Sequence, residues 1–456
     1  MSPSPAIPSP SAAAEAAAAQ LRRLVAGRVS TTAVSRWLYS TDSSGYRVVP
    51  EVVLVAGEVE DLAAAAAVAV EYGLPLSVRG AGSSLAGQAI GPGLVIDCFK
   101  LDRIVAVDPD RRTARVEPGV IQASLNEAAA PYGLEFGPDT STVDQATIGG
   151  MVGNNSSGSR SLVYGQAKDK VRRIAAILAG GDGIVLGPGA TAVGPDGKRL
   201  TAALTGIGER WKMAIVERAP QTARCTSGYN LRELLGPSPN LARLLAGSEG
   251  TLALFTELEV ELDPRPARRV GAALTFTTLR AALEANVAIL DTGPSAVELL
   301  DLPPLRAAPR LAAYRLMAPL LQGDEQAMLT VEYQGDEDEA RAALGRLEAV
   351  AGELGAVQSV ALVDVAALAE AGALRRAALP LLMGAPGAER PASFVEDTAV
   401  APERLADFVA DFQALVAAQG ARASFTGHAS AGCLHVRPLL DLKSAAGVAR
   451  MDALAR

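Results

Sequence analysis

A chain of 456 residues with 49% hydrophobic side chains has material for two or three globular domains with sizeable cores. Its net charge of −8 and aromatic content of 4% argue against a nucleic-acid binder, which would show a basic stripe with stacking aromatics. The cysteines Cys98, Cys225 and Cys433 are too far apart for a zinc ribbon or an iron–sulfur run, and a reduced, cytoplasmic setting fits them.

Met1 to Ala14 is rich in Pro, Ser and Ala but lacks the basic and apolar regions of a signal peptide, so residues 1–15 read as a disordered tail. Arg22-Arg23 sit inside a helical pattern, Ala16 to Val25, and do not form a twin-arginine signal. Glu51 to Ala56 predicts a buried strand, Asp61 to Tyr72 an alanine-rich helix and Pro75 to Arg79 a second strand, together a β-α-β unit. The helix run is far shorter than the roughly 20 residues of a membrane span. Arg79 ends its strand where Arg79-Gly80-Ala81-Gly82-Ser83-Ser84-Leu85-Ala86-Gly87 begins, the place at which an α/β sheet presents a ligand site.

Leu94 to Phe99 predicts another strand, and Arg103 to Asp108 with Thr113 to Glu117 predict a hairpin around Asp108-Pro109-Asp110. After a helix over Gln122 to Ala130, the irregular Phe136 to Thr140 leads into Thr147-Ile148-Gly149-Gly150-Met151-Val152-Gly153-Asn154-Asn155-Ser156-Ser157-Gly158. Loops of small residues let successive amides turn toward one point and let an anion approach the main chain, so the two loops predict a diphosphate cradle. Neither has the Rossmann order, and neither ends in Gly-Lys-Ser/Thr as a P-loop does.

Leu252 to Leu262 predicts a strand, and Asp263-Pro264-Arg265-Pro266 after it reads as a domain boundary. Beyond it, strands over Val270 to Phe276 and Ala327 to Tyr333 alternate with helices over Thr278 to Leu290 and Glu337 to Leu354, a mixed α/β domain. Both histidines of the chain fall in Gly427-His428-Ala429-Ser430-Ala431-Gly432-Cys433-Leu434-His435. On one straight strand a spacing of seven sends them to opposite faces; a turn at Ala431-Gly432 folds the segment back and lets the imidazoles converge. Converging imidazoles suit a divalent metal or a base, though a lone pair of histidines is more often packed or on the surface. Ser444 to Arg456 is a helical pattern without a clear cap.

The loops, with Pro138-Asp139-Thr140-Ser141 and Gly247-Ser248-Glu249-Gly250-Thr251-Leu252, resemble the FAD-binding domain of the p-cresol methylhydroxylase (vanillyl-alcohol oxidase) family in order and spacing. The resemblance implies an α+β fold: a two-subdomain FAD-binding domain over 16–264, then a mixed α/β cap of the FAD-linked oxidase C-terminal type over 265–456. It implies FAD contacts from Arg79, Gly80, Ala81, Gly82, Ser83, Ser84, Gly87, Pro138, Asp139, Thr140, Ser141, Gly149, Gly150, Asn154, Ser156, Gly158, Glu249 and Gly250. Many members link the flavin through a histidine where this chain has Ser83, so non-covalent FAD is expected.

The second half resembles the lactate, glycolate and 2-hydroxyglutarate dehydrogenase branch, whose members oxidise D-2-hydroxy acids. Residues 428–435 are similar to its H-x-G-D-G-N-x-H motif, with Ala431 and Cys433 replacing Asp and Asn. Those departures look like the subgroup fused to an iron–sulfur domain. The motif implies a divalent metal, zinc or manganese, on His428 and His435. The matching Leu374-Arg375-Arg376 segment, followed by Phe394-Val395-Glu396-Asp397, implies a substrate carboxylate on Arg375 and a solvated Arg376. Ser227 to Leu231 matches a segment near the flavin, where Tyr229 is equally a packed aromatic.

The branch's Gly-Glu-His-Gly segment, a third ligand and a base, does not occur within the 456 residues, so the cap is expected to be C-terminally truncated, with no iron–sulfur cluster in this chain. The implied activity is hydride transfer from a D-2-hydroxy acid to flavin N5. Electrons then pass to a separate acceptor: an iron–sulfur domain, an electron-transfer flavoprotein or a quinone-linked protein, through which the protein would sit peripherally at a membrane. The alternatives are a flavin oxidase for a different alcohol, or a non-catalytic or partner-dependent FAD-binding subunit.

Overall fold

A computed structural model describes residues 7–189, 191–236, 238–306, 314–321, 323–384 and 386–456. The chain divides into two units at Arg265, with residues 158–163 and 221–225 belonging to the second.

The first unit opens on the helix Ala12–Leu24, which Ser11 caps by accepting from the Ala14 amide. It starts earlier than the pattern indicates, so the stretch read as a tail is helical from Ala12; residues 1–6 lie outside the described residues. Strands β1 (Arg28–Ser30), β2 (Val52–Val55), β3 (Leu76–Arg79) and β4 (Leu94–Asp97) form a sheet in the order β1-β2-β4-β3, with β2 and β3 parallel to β4. Every residue of β2 and β4 is buried, as parallel strands covered on both faces require. Asp61, 1% exposed at the head of the helix Glu60–Glu71, keeps its burial affordable by accepting from the amides of Ala26, Gly27 and Gly57 at 2.8, 2.9 and 2.8 Å.

Next come the hairpin β5 (Ile104–Asp108) and β6 (Thr113–Val116), the short β7 (Leu134–Glu135), then β8 (Val171–Ile177), β9 (Gly183–Gly187), β10 (Thr191–Val193) and β11 (Leu254–Glu261). They make an antiparallel sheet ordered β10-β9-β8-β11-β6-β5, while β12 (Asp263–Pro264) pairs with β7. Leu125, Ile148, Met151, Ile174, Leu245 and Leu258 are among the core residues beside it.

The second unit is one sheet with two buried faces. Its strands are β13 (Arg268–Phe276), β14 (Ala296–Asp301), β15 (Ala327–Gly335), β16 (Gln358–Leu362), β17 (Arg390–Pro391), β18 (Thr398–Ala399), β19 (Arg422–His428) and β20 (Cys433–Leu440). The order is β16-β13-β15-β14-β19-β20-β17, with β18 also on β20. Side chains alternate between faces along a strand. Leu274, Leu299, Val331, Phe425 and Val436 enter the core formed with the helices Leu279–Leu290, Glu337–Ala351 and Leu405–Ala418. Ala273, Leu300, Met328 and Leu362 pack on the other face against the helix Val365–Met383. The last helix, Ala445–Ala455, corrects the uncapped reading: Ser444 Oγ accepts from the Gly447 amide at 3.0 Å. Among the described residues no helix is long and apolar enough to cross a membrane.

Candidate functional site

In the first unit the small-residue segments meet at the C-terminal end of β3. A side chain on Gly80 would collide with Thr147 Oγ1, and one on Gly250 would reach Val78 Cγ1 at 2.7 Å, so hydrogen is the only substituent that lets these loops close together. The amides of Gly247 and Glu249 donate to the carbonyls of Val152 and Gly153, both at 2.9 Å. Gln88 Nε2 lies 3.4 Å from both Asn154 Oδ1 and Glu249 Oε1. Gly82 and Gly87 have φ of 67° and 85°, and Arg79 braces the first loop by donating from Nη1 to the Thr41 carbonyl at 2.7 Å.

The amides of Ala81 to Leu85 donate to no acceptor among the described residues. Gln88 Oε1, Ser157 Oγ and Ser248 Oγ are likewise buried without partners. A run of unused donors around left-handed glycines, flanked by orphaned polar atoms, is the chemistry of an anion cradle. Pro138 to Thr140 is held by Gln122, a buried residue missed in the sequence, whose Nε2 donates to the carbonyls of Phe136 (3.3 Å) and Pro138, and whose Oε1 accepts from Thr140 Oγ1. Ser141 is exposed, Gly149 packs on Pro118, and the Gly150 amide caps onto Thr147 Oγ1 at 3.1 Å. Ser83, Asp139 and Ser156 are partly exposed, as is Ser84, whose Oγ accepts from the Ala86 amide, whereas Gly158 falls in the second unit. Tyr229 spends its hydroxyl on Thr251 Oγ1 at 2.9 Å.

In the second unit the face of the sheet opposite Phe425 and Val436 carries a row of polar groups. Glu298 on β14 stands opposite His428 on β19, which stands opposite Cys433 on β20; in the next row Thr426 faces His435. The turn Ala429–Ala431, completed by Gly432 at φ 68°, folds the strands back so that the imidazole centroids lie 5.3 Å apart, edge to face. Glu298 Oε1 is 2.7 Å from His428 Nδ1, and Glu298 Oε2 is 3.4 Å from Nη1 of Arg375, which the helix Val365–Met383 supplies. Arg376, beside it, is exposed.

On the other side β18 brings Glu396 and Asp397 to His435, whose Nδ1 lies 2.9 Å from Asp397 Oδ1 and 3.1 Å from Glu396 Oε2, off the line of a hydrogen bond to either. Asp397 holds φ at 56°, a left-handed conformation that a short acid tolerates at a cost. Arg437 Nε donates to Glu396 Oε1 at 2.7 Å, and Arg224 Nη2 to Asp397 Oδ2 at 2.9 Å.

Burial opposes the charge of Glu298, but His428 and Arg375 outweigh it and hold the carboxyl well below the usual carboxylate range. Burial lowers His428, more than Glu298 raises it, so this imidazole is neutral. Burial also opposes charge on His435, but Asp397 and Glu396 prevail and push it up to about 9. The Cys433 thiol is pushed up to about 12, chiefly by burial, and is inert.

The structure thus brings together His428, His435 and Arg375. It adds Glu298 and Arg224, which were not singled out in the sequence, and Glu396 and Asp397, which were visible there only as part of the segment following Arg375 and without a role. Among the described residues, Glu396, Asp397 and His435 have ligand atoms within 4.8 Å of one another, close enough to hold one metal ion; His428 has its Nδ1 engaged by Glu298.

Residues 50–187 match the FAD binding domain, and residues 265–456 the C-terminal domain of FAD linked oxidases. The D-2-hydroxyglutarate dehydrogenase of Escherichia coli (strain K12) is 32% identical over 91% of this chain and 43% of that protein. The glycolate oxidase subunit GlcD of Bacillus subtilis (strain 168) is 26% identical over 91% of this chain and 79% of that protein. A D-lactate dehydrogenase of Archaeoglobus fulgidus is 26% identical over 84% and 73%. The chain spans less than half the length of the D-2-hydroxyglutarate dehydrogenases it matches.

Among solved structures, alkyldihydroxyacetonephosphate synthase superposes with a TM-score of 0.70 at 14% identity, covering 99% of this chain and 80% of that one. The p-cresol methylhydroxylase with substrate bound superposes with 0.68 at 15%, covering 98% and 86%. These likenesses speak for the fold alone. Two consecutive domain matches on that fold establish that the chain belongs to the FAD-linked oxidase family of flavoproteins, and that its homologues include D-2-hydroxyglutarate dehydrogenases, D-lactate dehydrogenases and a glycolate oxidase subunit.

Proposed function

We propose that the protein is an FAD-dependent dehydrogenase that oxidises a D-2-hydroxy acid to the 2-oxo acid and passes the electrons to a separate acceptor. The observation that carries this reading is the contact chain Arg375–Glu298–His428 on the polar face of the second sheet. With Nδ1 committed to Glu298, a neutral His428 keeps a lone pair on Nε2, the state a general base needs. Arg375 retains donors beyond its contact with Glu298 for the substrate carboxylate, a planar acceptor that matches a guanidinium. The oxidation removes a proton from the hydroxyl, taken by His428, and a hydride from C2.

The first-unit loops fit FAD through their unused amides and orphaned polar atoms. Bound there, FAD supplies the hydride acceptor. Charge-assisted amide bonds are worth about 1.5–3 kcal/mol each, so several hold a diphosphate without a covalent link, consistent with Ser83 in place of a linking histidine.

The one-nitrogen, two-carboxylate set of His435, Glu396 and Asp397 suits zinc or manganese, which would act there as a Lewis acid toward a substrate oxygen. In this reading His435 is a ligand and His428 the base, rather than both being ligands. The acceptor is an iron–sulfur, flavoprotein or quinone-linked protein, and the setting cytoplasmic or peripheral to a membrane.

The test is anaerobic mixing of the FAD-loaded protein with D-lactate, glycolate and D-2-hydroxyglutarate. At least one should bleach the flavin, and His428→Gln should abolish bleaching while FAD stays bound. Bleaching by none of them, or undiminished bleaching in His428→Gln, would refute the assignment.

A further inference from the structure

Arg224 holds a charge that its visible partner does not use up. Its side chain is 10% exposed, and Nη2 donates to Asp397 Oδ2 at 2.9 Å. Nε and Nη1 are buried with no hydrogen-bond partner among the described residues. A guanidinium has five N–H donors in a rigid fork, and buried donors are nearly always paired, so most of this fork is waiting for an acceptor.

The surroundings say where that acceptor comes from. Arg224 reaches Asp397, and Asp397 lies beside His435; this repeats on the other side the succession Arg375, Glu298, His428. The two imidazoles face each other in the middle, and an arginine ends each arm. Asp397 leaves 35% of its side chain in solvent, so the Arg224 arm stands at the open edge of the cluster, while Glu298 is sealed. Ser430, in the turn between the histidines, has a buried hydroxyl that is also unpartnered. A substrate with one carboxylate satisfies Arg375 and leaves Arg224 as it is. A second carboxylate supplies the planar pair of oxygens that the unused fork matches.

We propose that Arg224 binds a second carboxylate of the substrate and thereby selects dicarboxylic over monocarboxylic 2-hydroxy acids. The inference rests on the hydroxy-acid reading above.

The FAD-loaded wild type, Arg224→Met and Arg224→Lys are titrated with 2-oxoglutarate and with pyruvate, following the flavin spectrum so that no turnover is needed. Bleaching by D-2-hydroxyglutarate and D-lactate is measured alongside. Arg224→Met should weaken 2-oxoglutarate binding roughly 10- to 100-fold, the loss of one charge-assisted acceptor pair, and change pyruvate binding less than about twofold. Arg224→Lys, which keeps a charge beside Asp397 without the fork, should recover part of the loss, and it carries the test alone if the methionine variant does not fold. Equal weakening of both ligands would make Arg224 a mere support for Asp397, and no weakening would remove it from the site; either overturns the proposal. A wild type that binds pyruvate but not 2-oxoglutarate also overturns it, leaving the oxidation of hydroxy acids intact. A wild type that binds neither and is bleached by neither hydroxy acid brings down the reading on which it rests.

Discussion

The two units build their sites from different materials. The first uses main chain: amides in glycine-rich loops, brought together because Gly80 and Gly250 carry no side chain where Thr147 and Val78 approach. The second uses side chains: two imidazoles, three carboxylates and three arginines on and around one face of a sheet, each partly neutralising its neighbour. A main-chain site binds whatever presents phosphate and tolerates many sequences of small residues. A side-chain site discriminates, and it fails when one member is lost.

The largest effect should come from breaking the second kind of site. Glu298→Ala leaves Arg375 without its buried counter-charge and His428 Nδ1 without its acceptor, and should cost about 3–5 kcal/mol in urea unfolding. The flavin content after loading should be unchanged, and its loss would show that the two sites do not depend on separate residues as described.

Asp301, on the same strand, tests whether buried charge there is always compensated. Burial pushes its carboxyl up to about 7, against the Phe425 amide and Arg306. A folded pKa above the unfolded value means that the folded state binds more protons, so stability is full below about pH 4 and falls as the pH rises to about 7. Asp301→Asn should remove that slope and gain up to roughly 4 kcal/mol at pH 8 with none at pH 4; parallel stability curves for the two proteins would count against it.

Gly80→Ala probes the main-chain site. The new methyl group meets Thr147 Oγ1, and the strain of about 1–3 kcal/mol should appear as weaker FAD binding, read by fluorescence quenching, with the unfolding of the second unit unaltered. The smallest change belongs to neither site. Ser444→Ala removes the cap of the last helix and should cost about 1 kcal/mol of stability without altering flavin or ligand binding.

The same contrast decides what could be read in advance. The first site lies in contiguous runs, so its glycines and their place after β3 were visible, whereas Gln122, acting across a loop, and Gln88, just past the first run, were hidden. The histidine pair was visible with its turn, because both residues sit on one hairpin. Glu298 and Arg224 were not, and Asp397 showed only as the end of the segment after Arg375 with no role, since strand pairing and a loop bring the three from distant stretches. One signal was present for Glu298: an acid inside Ala296-Val297-Glu298-Leu299-Leu300, where an otherwise apolar run predicts burial and a buried acid needs a partner. A signal was present for Ser444 too, a serine just before a helical run, which the uncapped reading passed over.

The short turn between His428 and His435 limits how such a site can change through descent or redesign. Inserting or deleting one residue within β20 before His435 reverses parity, burying the imidazole among Phe425 and Val436 and turning Leu434 or Val436 toward Glu396. Substitutions such as those at Ala431 and Cys433 are therefore open to lineages of this fold, whereas single-residue length changes there are closed.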